Sequence, residues 1–101
     1  MTKEMENQRA LQEEMKGKLS RLRAVLLTGG DVSFSKLFDE FVQEGEWELA
    51  LHVVCDYLLE PNTQAAPPTV IQQVQALHEA MRVEDSCVAD LQRKAGQHVA
   101  D

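Results

Sequence analysis

Between Glu46 and Leu59 apolar side chains occupy most of the circumference that a helix would present. Trp47, Ala50, Leu51, Val54 and Leu58 fall on one face at helical spacing, and Leu49, Val53 and Tyr57 fall on another. A helix this apolar is stable in water only when it is covered from two sides. The rest of the chain must therefore supply neighbours for a central helix, and this requirement points to a bundle.

The flanking segments carry the stripes such neighbours need. Leu11, Met15, Leu19, Leu22 and Leu26 step by four, four, three and four, which predicts a long amphipathic helix from Lys3 to Leu27. Its first ten residues hold only Met5 and Ala10 as apolar anchors and are expected to be loose. Thr28-Gly29-Gly30 offers a left-handed cap, and Asp31 or Ser33 can start a second helix with Phe34, Leu37, Phe38 and Phe41 on one side. Pro61-Asn62 ends the central helix. Pro68 or Thr69 begins a fourth, with Val70, Ile71, Val74, Leu77 and Met81. Ser86 can cap a weaker last helix bearing Val88, Leu91 and Ala95, and the tail beyond Gly96 is expected to be disordered. No segment alternates with the period of a half-buried strand. The expected fold is all-α: a compact bundle of four main helices plus a weaker C-terminal one, forming a single domain over residues 1–96 with a tail at 97–101.

Composition limits what such a bundle can do. The 101 residues have room for one core, and 44% apolar with 27% charged residues is the balance of a globular domain. The net charge of −7 argues against nucleic acid as a partner, because phosphate contacts need a basic face. The distribution is sharper than the sum. No Lys or Arg occurs from Leu37 to Met81, where Asp39, Glu40, Glu44, Glu46, Glu48, Asp56, Glu60 and Glu79 all fall. That segment is either a solvated acidic surface or a docking face for a cationic partner.

Catalytic and metal-binding patterns are sparse. Cys55 and Cys87 form no CxxC and have no histidines at metal-ligand spacing, so they read as small buried apolar residues in a reducing compartment. His52, His78 and His98 read as packing or tail residues. His52 with Asp56 is the one i, i+4 pair of ligand types, a weak metal signal. The serines lie outside any nucleophile elbow, and Gly29-Gly30 lacks the Lys and Ser/Thr of a phosphate loop. The expectation is a chain that is not an enzyme and has no cofactor or metal. With a polar N-terminus and no apolar run long enough to span a bilayer, it is expected to be cytoplasmic and away from membranes.

The stretch from Glu44 to Leu58 resembles a segment of MafI-type immunity proteins, small acidic helical proteins encoded beside polymorphic bacterial toxins. Gly45, Trp47, Ala50, Leu51, Cys55, Asp56 and Leu58 take the places of that family's Gly-acid-aromatic turn and following helix. Phe38-Asp39-Glu40-Phe41-Val42 before it and Met81-Arg82-Val83-Glu84-Asp85 after it fit as well, so the likeness spans about residues 34–85. The loop Asn62–Pro68 and the extended first helix depart from the pattern. The resemblance implies a protein that binds and neutralises a toxin's C-terminal nuclease domain, including EndoU-type ribonucleases. The sequence does not fix the oligomeric state, and a monomer is favoured. Combined with the charge map, it nominates Asp39, Glu40, Glu44, Glu46, Glu48, Asp56 and Glu60 as partner contacts that block a basic cleft. Asp56 can instead serve His52 or a backbone group. The alternative is a helical adaptor or small chaperone, dimeric through the first helix.

Overall fold

The computed structural model describes residues 2–27 and 32–99, with the side chains of residues 2–9, 11 and 97–99 outside that description. It contains five helices and, among the described residues, no strand: α1 (Thr2–Leu26), α2 (Val32–Gln43), α3 (Trp47–Leu58), α4 (Pro68–Met81) and α5 (Cys87–Val99). The expected glycine cap at residues 28–30 and Asp31 lie outside the described residues.

The sequence pattern accounts for the assembly. Met15, Leu19, Leu22 and Leu26 are all buried, so the α1 stripe is the surface that packs. In α3 Ala50, Leu51, Val53, Val54, Cys55, Tyr57 and Leu58 are buried, and the helix packs against α1, α2 and α4. It is the central helix that its composition requires. Phe38 anchors α2 at 1% exposure, and the ring of Phe34 meets Tyr57 edge-on at 5.3 Å, a favoured aromatic geometry. Leu37 and Leu49, assigned by spacing to apolar faces, are instead 43% and 42% exposed. Helical spacing groups side chains on a face, but a neighbour must reach that face to cover it.

The helix ends are built from specific bonds. After α2, the N–H of Glu46 donates to Phe41 O and that of Gly45 to Val42 O, with Gly45 at φ 73°. This is the paired-bond stop that a left-handed residue permits. After α4 the same pair recurs, Val83 to His78 O and Arg82 to Glu79 O, with Arg82 in the left-handed place at φ 55°. Pro68 occupies the first position of α4, where its missing N–H costs nothing. Lys94 of α5 donates to the carbonyls of Leu58 and Glu60, each at 2.8 Å, and so satisfies the end of α3. Burial pushes the Lys94 ammonium below its usual range, opposed by the nearby Glu60 carboxylate.

Two expectations about the C-terminal region are corrected. The tail expected beyond Gly96 is helical as far as Val99, where the last helix ends. Leu91 is fully buried, with Val88 and Ala95 partly so, and this contact holds α5 to the core. The cysteines are not separate thiols: Cys55 of α3 and Cys87 at the start of α5 are joined in a disulfide across a Cα–Cα distance of 6.1 Å.

Two predictions follow from these features. The Cys55–Cys87 bridge closes a loop of 32 residues. Reduction should therefore lower the unfolding free energy by about 3–4 kcal/mol, read as a shift in urea midpoint between oxidised and reduced protein. At the two left-handed stops, Gly45→Ala should cost about 1–2 kcal/mol, and Arg82→Gly should be neutral or stabilising. No atom lies within 4 Å of a Cβ added at Gly45, so its cost is conformational.

Candidate functional site

The acidic segment folds mainly into the α2–turn–α3 hairpin, and its candidate residues separate into three groups. Asp39 is committed internally. Its carboxylate accepts two hydrogen bonds from the Arg23 guanidinium of α1, at 2.7 and 2.8 Å, a bidentate geometry. These bonds hold the Asp39 carboxyl below its ordinary value and raise the Arg23 guanidinium. Asp39 therefore fastens α2 to α1 and is not available as a bare docking charge.

Glu40, Glu44, Glu46 and Glu48 form the second group. All four are exposed around the turn between α2 and α3, and none is in an ion pair among the described residues. Glu40 lies on α2 and Glu44 follows one turn later, just past the end of the helix, where its N–H donates to Glu40 O at 3.1 Å. Glu48 sits in the first turn of α3, where a carboxylate is favoured by the helix dipole. Asp56 and Glu60 make the third group, exposed near the far end of α3. Eight residues of helix put Asp56 about 12 Å from Glu48 along the axis. Glu48, His52 and Asp56 share one exposed stripe at four-residue steps.

His52 does not pair with Asp56 as the spacing suggested. Its Nδ1 lies 3.9 Å from Asp85 Oδ2, because the turn after α4 carries Asp85 beside α3. Asp85 joins several elements. Its Oδ1 accepts from the Cys87 backbone N–H at 2.9 Å, which satisfies a donor at the start of α5, and it lies 3.0 Å from His78 Nε2. Burial pushes the Asp85 carboxyl up, but the Cys87 N–H, His78 and His52 outweigh it and lower the group below its ordinary value.

His78 is buried at 6% exposure, deeper than a flank position implies. Its Nδ1 lies 2.9 Å from Val74 O, and both ring partners are acceptors. One donor atom from each of Cys55, His78 and Cys87 falls within a 4.8 Å envelope, so three buried ligand-type side chains from α3, α4 and α5 meet. Sequence spacing gives no sign of this cluster, since its members are 23 and 9 residues apart. A separate groove of about 760 Å³ runs between Val25, Phe34, Tyr57, Val70 and the loop Asn62–Pro67.

The Asp39–Arg23 pair predicts a specific acid response. A depressed carboxyl contributes stability above its unfolded value near 3.8, and that contribution is lost as pH falls through and below it. Asp39→Asn should therefore lower the thermal midpoint slightly at neutral pH and flatten its decline below about pH 4; a parallel decline in both proteins would contradict the assignment. No family model, no curated protein and no solved structure matches the chain.

Proposed function

We propose that this chain is a protein-binding module of the immunity type, which neutralises a toxin's nuclease domain by laying an acidic helical turn over its basic, phosphate-binding cleft. The observation that carries the reading is the cluster Glu40, Glu44, Glu46 and Glu48, exposed at one turn and in no ion pair among the described residues. Carboxylates on a rigid hairpin can stand in for the phosphates such a cleft binds. Their field also speeds capture of a cationic partner. The resemblance of residues 34–85 to MafI-type immunity proteins supplies the toxin class, and the acidic hairpin supplies the mechanism.

The contact set is narrower than the full run of acids. Asp39 is left out because Arg23 occupies it. Asp56 and Glu60 lie toward the far end of α3 and serve as peripheral contacts. The exposed Leu49, next to Glu48, adds apolar area at the same end of α3, which suits an interface with a polar rim around an apolar centre.

An immunity role requires a toxin reading frame beside this one, and the test is co-expression with the nuclease domain such a frame encodes, followed by binding kinetics. The chain should restore growth. The triple variant Glu44→Lys, Glu46→Lys, Glu48→Lys should slow association by about tenfold or more at low salt, with the difference shrinking as salt rises. Failure to restore growth would overturn the immunity reading, and equal association rates at every salt concentration would overturn the acidic-turn mechanism.

A further inference from the structure

We propose that Cys55, His78 and Cys87 form a metal site in the reduced protein, binding one zinc ion or a similar thiophilic divalent cation in place of the disulfide. Three observations converge on it. The donor atoms already lie within 4.8 Å of one another. All three residues are buried, at 3%, 6% and 6% exposure. They come from three different helices, so one ion would tie α3, α4 and α5 together.

The geometry is within reach of a small adjustment. Two thiolates at about 2.3 Å from a tetrahedral zinc stand about 3.8 Å apart, inside the existing envelope. The Cα–Cα distance of 6.1 Å and the rigid helical positions of Cys55 and His78 keep the donors together after the sulfur–sulfur bond opens. Two Cys and one His leave a fourth position for water or a carboxylate. Asp85 is the carboxylate at hand, with Oδ1 3.0 Å from His78 Nε2. On a tetrahedral ion a nitrogen and an oxygen at about 2.1 Å stand about 3.4 Å apart, close to the distance already present.

The chemistry balances without an unnamed partner. A thiol reductant donates two electrons to the disulfide: two reductant thiols become one disulfide, and Cys55 and Cys87 become thiols. The ion then binds the two sulfurs as thiolates, their protons pass to solvent, and the bound ring nitrogen of His78 gives up its hydrogen. Thiolates alone would be costly buried charges. The divalent cation neutralises them, which gives the reduced cluster a reason to load. Disulfide and metal are then alternative cross-links at the same place, one for oxidising and one for reducing surroundings.

The experiment uses the full chain reduced with a phosphine, desalted without oxygen and titrated with Co²⁺. One equivalent should produce a thiolate-to-cobalt charge-transfer band and the visible bands of tetrahedral Co²⁺, and Zn²⁺ should displace it. Oxidised protein should give no band. His78→Ala should weaken Zn²⁺ binding by about tenfold or more in competition with a chromophoric chelator, with circular dichroism following helicity throughout. If reduction loosens the fold, one equivalent of Zn²⁺ should restore the helical signal and the urea midpoint. A reduced wild-type chain that gives no stoichiometric band, or that stays unfolded after Zn²⁺ is added, would overturn the site. Equal Zn²⁺ affinity in a folded His78→Ala variant would also overturn it.

Discussion

Burial of α3 on nearly every side is the constraint to which the rest of the structure answers. Leu51, Val54 and Leu58 are at most 2% exposed and Ala50 is fully buried, while Val53, Cys55 and Tyr57 close the flanks. Burying one large aliphatic side chain is worth about 1.5–3 kcal/mol, so leaving one side of this helix open would forfeit a large share of a small domain's stability. α1, α2 and α4 each cover part of it. α5 is tied to it by the Cys55–Cys87 bridge and by Lys94 at its last carbonyls. Apart from Leu49, the exposed part of α3 is the polar strip Glu48–His52–Asp56.

That arrangement explains which parts of the fold the sequence discloses. Burial along α1 and α4 follows from spacing because each helix has one apolar stripe and one neighbour-facing side. Leu37 and Leu49 miss for a related reason: spacing puts them with apolar residues, but whether a face is covered depends on where the neighbouring helix ends. The end of α5 misses differently. Gly96 reads as a stop when it stands alone, yet it sits within a helix secured upstream by Leu91 and Lys94. A glycine in a helix costs about 1 kcal/mol, which the contacts before it can absorb.

The polar connections are the least legible part. Arg23 meets Asp39 across 16 residues, His78 meets Asp85 across a left-handed turn at Arg82, and Cys55 meets Cys87 across 32. Each pair spans a break between helices, so its contact depends on how the core places the separate elements. The His52–Asp56 spacing, which is a helical repeat, yields no contact that competes with Asp85. In this chain local spacing predicts the core, whereas the tertiary arrangement decides which charged and sulfur-bearing groups meet.

The two candidate functions draw on opposite ends of this arrangement, and this bears on how they can coexist. The acids proposed for docking surround the turn at the start of α3, while Cys55 lies two turns further along the same helix and faces inward. Redox or metal chemistry at the proposed cluster would change how firmly α5 and α4 are held to α3. The α2–α3 turn has supports of its own, the Gly45 stop and the Asp39–Arg23 pair that fastens α2 to α1. A docking surface built this way should keep its shape whichever cross-link the core carries. The chain could then bind the same partner on either side of a change in redox surroundings, and the cross-link would set how long it survives there.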